Sequence, residues 1–261
     1  MNASEIPPYP KGHSLLEGKT VLVTASAGTG IGFATAKRCA EEGATVMLSD
    51  RHERRLGEYR DELAKLTGKP VPAFACDVTD EDAVQAMFAY AEAEMGHVDV
   101  LVNNAGLGGT ANIIDMGDDE WNAVINVTLT GTFRCVRAAM RHMVSREKGS
   151  IVNVGSVVNW RAQAGQAHYS AAKAGVLALT RVAAMEGAAV GVRVNAVVPS
   201  LAIHTNLAKV SSDEFLDGLI AREALNRSAE PWEIANVIVF LASDLASFMT
   251  GESVSVSSQH P

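Results

Sequence analysis

The sequence predicts an α/β fold, a single doubly wound parallel sheet with helices on both faces. Three observations carry this. Short apolar runs alternate along the chain with longer segments of helical composition. A glycine-rich turn lies between the first such run and the first such segment. The 261 residues contain no low-complexity tract and no internal repeat, a length that suits one large domain with ample core.

The pattern puts strands near 20–24, 44–49, 71–76, 98–102, 150–155, 192–198 and 253–256. Helices fall near 30–42, 53–66, 80–95, 117–144, 167–188, 212–222 and 231–243. Residues 1–18, with Pro7-Pro8-Tyr9-Pro10, read as an N-terminal arm without the basic start and apolar middle of a signal peptide. Residues 19–261 read as one dinucleotide-binding and catalytic domain, with a substrate loop over about 201–227.

The formal net charge is −8 and no basic run stands out, which argues against nucleic acid as a partner. No uninterrupted apolar stretch reaches membrane-spanning length. Cys39, Cys76 and Cys135 fall in apolar patterns without metal-ligand spacing. They read as reduced core thiols of a cytoplasmic protein, and no metal site is expected.

Taken in order, the strand Thr20-Val21-Leu22-Val23-Thr24 runs into Ala25-Ser26-Ala27-Gly28-Thr29-Gly30-Ile31-Gly32 and then a helix. Strand, glycine-rich turn and helix form the context of a Rossmann-type nucleotide site. Glycines let the backbone approach a pyrophosphate, and the helix N-terminus offers free N–H groups. Ser26, Gly28, Thr29, Gly30, Ile31 and Gly32 are the candidate contacts. The plainer alternative is a tight turn that uses glycine only for its conformation.

The second strand ends in Asp50, an acid that can accept both ribose hydroxyls of an adenosine and repel a 2′-phosphate. It argues for NAD. Arg51 beside it is the argument for NADP, and Asp50 could equally cap the helix that begins at Glu53. Cys76-Asp77-Val78 offers a carboxylate for an adenine amino group or a cap for the next helix. Asn103-Asn104-Ala105-Gly106 offers two amides to tie strand ends together and an open glycine backbone.

Ser156 follows the buried run Ile151-Val152-Asn153-Val154, and Tyr169 and Lys173 lie four residues apart on the next helix. That spacing puts phenol and ammonium on one face. A fixed cation lowers a phenol's pKa, and a serine hydroxyl beside it could hold a carbonyl or alcohol oxygen. The helix is apolar nearly all round, including Ala171, Ala174, Val182 and Met185. Its outer face calls for a partner, so a homodimer or homotetramer is expected.

Together these motifs resemble the short-chain dehydrogenase/reductase family, in the subgroup of bacterial 3-oxoacyl-carrier-protein reductases. The resemblance runs from about Gly18 to Gly251 and includes Arg193-Val194-Asn195-Ala196 and Pro199. It implies hydride exchange between a nicotinamide and a carbon bearing oxygen. Tyr169 would be the acid–base, Ser156 would orient the oxygen, and Lys173 would hold the nicotinamide ribose. Pro199, Ser200 and Ala202 would flank the cofactor.

The chain also departs from the family pattern. Thr128 stands where the catalytic Asn is expected, and its hydroxyl could bond a water in that residue's place. Ser200 replaces a Gly, His204 stands where a Thr touches the carboxamide, and Ser257-Ser258-Gln259 replaces Asp-Gly-Gly. Ala27-Gly28-Thr29-Gly30-Ile31-Gly32, His52-Glu53-Arg54-Arg55-Leu56, Trp160-Arg161-Ala162-Gln163, Pro199-Ser200 and Ser255-Val256-Ser257-Ser258-Gln259 resemble an actinobacterial branch of steroid-ring degradation whose substrate is a hydroxylated bicyclic coenzyme A thioester. On that resemblance Trp160 would cover a ring system and Arg161 would meet a phosphate of the carrier.

The expected function is therefore hydride transfer between NAD(H) and a secondary alcohol or ketone of a small molecule, with a hydroxyacyl-CoA or a steroid-derived compound as the candidate substrates. The alternative within the class is an NADPH-dependent 3-oxoacyl reductase. The alternative outside it is a cofactor-binding sensor or scaffold without turnover.

Overall fold

A computed structural model describes residues 5–203 and 212–259. Seven strands form one parallel sheet: β1 (Thr20–Val23), β2 (Thr45–Asp50), β3 (Ala73–Ala75), β4 (Val100–Asn103), β5 (Gly149–Val154), β6 (Val192–Pro199) and β7 (Ser253–Val256). Their order is β3-β2-β1-β4-β5-β6-β7. The chain leaves β1 for β2 on one side and returns to β4 on the other, so the switch point lies between β1 and β4.

The helices are α1 (Ile31–Glu41), α2 (Glu53–Thr67), α3 (Glu81–Met95), α4 (Asp118–Ile125), α5 (Gly131–Val144), α6 (Ala167–Ala188), α7 (Asp213–Ile220) and α8 (Pro231–Ala242). Alternate strand residues feed opposite layers, as the pleat requires. Val21, Val23, Val46, Leu48 and Val102 pack with Phe33 and Cys39 of α1 and Ile234, Ile238 and Leu241 of α8. Leu22, Met47, Leu101 and Ile151 pack with Met87 and Phe88 of α3 and Cys135 and Met143 of α5.

The third strand is shorter than the 71–76 expected from sequence. Pro70 and Pro72 lack N–H donors, so pairing along that edge starts only at Ala73. The single helix expected over 117–144 is interrupted by a π-helical turn at Asn126–Thr130. Such turns accompany functional sites; this one carries Thr128.

Residues of the arm are bound to the layer formed by α1 and α8. Glu42, fully buried, accepts from the N–H groups of His13 (2.7 Å) and Leu15 (3.1 Å) and pairs with buried Arg38. Tyr9 donates to Glu41 at 2.7 Å and packs edge-on against Trp232 of α8. The expectation for His204, and residues 204–211 of the expected substrate loop, lie outside the described residues. Among the described residues no helix is long and apolar enough to cross a membrane, and no His, Cys, Asp and Glu cluster could hold a metal ion.

Candidate active site

A cleft of about 410 Å³ opens at the carboxyl ends of β1, β2 and β4. Gly28, Thr29, Gly30, Ile31, Gly32, Asp50, Arg51, Asp77, Val78, Asn104, Ala105 and Gly106 all line it. Its floor is the start of α1, where Gly30 precedes the helix and neither a side-chain cap nor an acid occupies the first turn. Those backbone N–H groups remain available to an anion.

Two turn residues carry the geometry. A Cβ on Gly32 would lie 2.3 Å from the Ala25 carbonyl oxygen and 2.5 Å from Asn104 Nδ2. Only glycine lets α1 start so close to the β1 end. Ala25 has φ of 49°, in the left-handed region that costs an L-residue about 1–2 kcal/mol. Asn104 holds the turn from the other side by donating to the Ala25 carbonyl at 2.9 Å. This cradle, the cleft volume and the unspent N–H groups fit a dinucleotide.

Asp50, 7 % exposed, accepts from Ala27 N at 3.1 Å and from His52 N at 3.0 Å. It therefore braces the glycine-rich turn while facing the cleft. It is not the cap of α2, a position that His52 occupies. Arg51 also lines the cleft, with its Nε 3.3 Å from His52 Nε2. His52, Arg55 and Leu107 are lining residues that the sequence reading missed. Arg55 lies in the first turn of α2, and its Nη2 is 3.7 Å from Asp50.

Asp77 accepts from Thr79 N at 2.9 Å and Thr79 Oγ1 at 2.7 Å, and Asp80, not Asp77, caps α3. Burial opposes its charge, but the Thr79 bonds and the Arg51 and Arg134 cations outweigh it and hold the carboxyl below its ordinary range.

Ser26 corrects an expectation. It is fully buried, and its hydroxyl donates to Ser49 O (3.2 Å) and accepts from Ser49 N (3.0 Å). The hydroxyl ties β1 to β2 and does not face the cleft. Pro199, Ser200 and Ala202 are likewise outside the cleft lining. Pro199 ends β6, Ala202 packs on the core, and Ser200 donates to buried Glu223 at 3.1 Å.

Tyr169 and Lys173 lie behind the loop that rims the cleft. The Lys173 Nζ is 3.5 Å from the Cβ position of Gly106, and the Tyr169 ring is 3.9 Å from that of Gly108. Ser156 follows β5, and its hydroxyl acts on the Tyr169 phenol, lowering its pKa. The amide pair Asn103–Asn153 joins β4 to β5 at 2.8 Å, and Asn153 donates onward to Thr180 of α6 at 2.9 Å. A buried polar chain thus seats the helix that carries Tyr169.

The electrostatics differ from the sequence expectation. Lys173 donates to the Val154 carbonyl at 2.6 Å, and its Nζ lies 5.6 Å from the Tyr169 ring centre. Burial lowers the Lys173 pKa to about 8. Burial also raises the phenol's pKa, and the Ser156 hydroxyl only partly offsets it. The phenol is a protonated donor at neutral pH, and its nearest modulator here is Ser156.

Thr128 is fully buried, and its hydroxyl accepts from Leu107 N (2.9 Å) and donates to Leu107 O (3.0 Å). Its one proton is spent on the loop, so it anchors Leu107 where a water link was expected. Arg161 is committed to the C-terminal segment, bonding Ser257 and Gln259, and not free for a phosphate. Trp160 is half-exposed in the same loop.

Residues 25–258 match the family model described as enoyl-(acyl carrier protein) reductase. The chain is 56% identical over 262 residues, all of both chains, to the (5R,7aS)-5-hydroxy-7a-methyl-1-oxo-2,3,5,6,7,7a-hexahydro-1H-indene-carboxyl-CoA reductase of Mycobacterium tuberculosis. It is 39% identical over 241 residues to a 3-oxoacyl-[acyl-carrier-protein] reductase of Thermotoga maritima, covering 92% of this chain and 97% of that one. A solved structure of a short chain dehydrogenase from Mycobacterium smegmatis superposes with a TM-score of 0.89 at 53% identity, covering 100% of both chains.

Proposed function

The chain belongs to the short-chain dehydrogenase/reductase family and is an oxidoreductase of alcohol and ketone groups, and from that premise we propose its cofactor, substrate class and site. The cofactor is NAD(H), and the substrate is a bicyclic oxo or hydroxy acid carried as a coenzyme A thioester. The activity of the 56% identical relative supports the substrate class. Asp50 at the end of β2, buried and facing the cleft, supports NAD(H). The runner-up is an NADPH-dependent 3-oxoacyl reductase, favoured by Arg51 and Arg55 in the same wall and by the 39% identical relative.

The observation that carries the reading is the Ser156 hydroxyl set close enough to the Tyr169 phenol to lower its pKa, beside the cleft, with Lys173 one turn on. When bound, the nicotinamide supplies or takes up a hydride at the substrate carbon. Ser156 orients the substrate oxygen. Tyr169 donates its phenolic proton to that oxygen in reduction and takes it back in oxidation. The raised phenol pKa suits the donor role. Lys173 holds a ribose hydroxyl and, charged, favours the phenolate left after transfer. Thr128, through Leu107, fixes the loop that separates this group from the cleft. Of the other cofactor contacts, Gly28 to Gly32, Asp77, Val78 and Asn104 to Gly106 carry the reading. Three free buried cysteines suit a reducing, cytoplasmic setting. Exposed Val182 and Met185 on α6 and Phe133 on α5 suit assembly with further copies of the chain.

Titration calorimetry of NAD(H) against NADP(H), on the native chain and on Asp50→Ala, tests this. Tighter NAD(H) binding that Asp50→Ala abolishes is expected. A preference for NADP(H), unchanged by that substitution, would transfer the reading to the 3-oxoacyl reductase.

A further inference from the structure

Three segments distant in sequence meet at the C-terminal end of the described chain. Arg161, in the loop between Ser156 and Tyr169, donates Nη1 to Ser257 Oγ (3.3 Å) and Gln259 Oε1 (2.7 Å), and Nη2 to the Gln259 carbonyl (2.9 Å). Gln259 Nε2 donates in turn to Glu223 Oε1 at 2.7 Å. Glu223 Oε2 accepts from Ser258 Oγ (2.6 Å) and from Ser200 Oγ (3.1 Å). The main chain closes the arrangement, with Ala224 N donating to Ser258 O at 2.9 Å and Ser200 N to Val256 O at 3.2 Å.

Glu223 is only 3% exposed. A carboxylate so buried needs its charge met inside the protein. Among the described residues the side chains that donate to it are neutral, and they come from two places: Ser200 at the end of β6, and Ser258 and Gln259 of the tail. The Gln259 amide completes the link, because it accepts from the Arg161 cation with Oε1 and donates to the Glu223 anion with Nε2. Its dipole is aligned with both charges. Neither a carboxylate nor an amine at 259 offers both halves. Removing the tail takes from Arg161 the acceptors named above and leaves buried Glu223 with Ser200 alone of its three side-chain donors, so both segments depend on it.

We propose that Ser257, Ser258 and Gln259 form a clasp that fixes two walls of the substrate site against one another, the 157–166 loop through Arg161 and the Ser200 and 212–227 wall through Glu223. These are positioning residues: they act on the substrate through Arg161 and Glu223 and set how tightly it is held. The inference rests on the reading of Ser156 and Tyr169 as the reacting pair, since those residues bracket the first wall.

Two measurements on the full chain test it, with Gln259→Ala and the size-preserving Glu223→Gln. Hydrogen exchange should accelerate by about tenfold or more in 157–166 and 212–227 of both variants and stay unchanged in the 25–32 turn. With acetoacetyl-CoA as the probe, KM should rise about tenfold while kcat stays within about threefold and NAD(H) affinity is unchanged. Acceleration confined to the tail, or a fall in kcat at constant KM, would overturn the clasp. If the native chain does not turn over acetoacetyl-CoA, that probe reaction fails on its own, and the exchange pattern still decides the clasp.

Discussion

The Lys173 ammonium is bonded to the Val154 carbonyl at 2.6 Å, across from the phenol it was expected to charge-tune. The last residue of β5 therefore sets where the cation sits, and burial there lowers its pKa to about 8 from 10.5. Between those values the folded chain binds fewer protons at this group than the unfolded chain. Stability from this group thus rises with pH across that window, and below about pH 8 the buried charge is a standing penalty.

Lys173→Met should accordingly stabilise the cofactor-free protein at pH 7 while eliminating turnover. Its advantage over the native chain should shrink as pH rises toward 10.5. Chemical denaturation at several pH values reads this directly. A variant less stable at pH 7, or an advantage independent of pH, would contradict the buried-charge account.

The glycine-rich turn makes opposite predictions at two positions. Ala25, with φ of 49°, is strained, so Ala25→Gly should leave stability unchanged or raise it by up to about 1 kcal/mol. Gly32→Ala should be severely destabilising or abolish nucleotide binding, because its Cβ would lie 2.3 Å from a backbone oxygen. Thermal unfolding and nucleotide titration distinguish the two.

Acid should release the arm before the sheet. Burial opposes the Glu42 charge, but the His13 and Leu15 N–H groups and Arg38 overcome this and lower its pKa. Its stabilisation is present above the ordinary Glu value and is lost as pH falls through the folded value. Exchange at residues 13–16 should rise on acidification ahead of the β-strands. Arg38→Ala, which leaves Glu42 buried and uncompensated, should cost about 3 kcal/mol at neutral pH.

Thr128→Val should leave the Leu107 N–H and carbonyl without their partner and cost about 1–3 kcal/mol. It should also reduce turnover by loosening the loop between cleft and phenol. Thr128→Ser, which keeps the hydroxyl, should retain both. Equal behaviour of the two variants would detach Thr128 from the loop.

The fold was legible because each strand is a short apolar run and each helix a longer periodic one, and such a pattern admits few topologies. The glycine-rich turn between β1 and α1 was legible because Gly28 to Gly32 stand between a strand and a helix. The π-helical turn at Asn126–Thr130 was not, because one extra residue per turn barely disturbs helical composition. Ser26 was misread because a hydroxyl in a glycine-rich turn looks the same whether it faces a ligand or, as here, the neighbouring strand. The grouping of Arg161, Ser200, Glu223 and Gln259 was invisible, because hydrogen bonds between such distant residues leave no local pattern.

The central claim is that Tyr169 exchanges a proton with the substrate oxygen while hydride moves at the adjacent carbon. The most direct measurement is turnover and nucleotide binding of Tyr169→Phe, followed by nicotinamide absorbance and calorimetry with the same preparation. The account predicts turnover reduced by at least about a hundredfold with nucleotide affinity within about twofold of the native chain. Turnover equal to that of the native chain would contradict it.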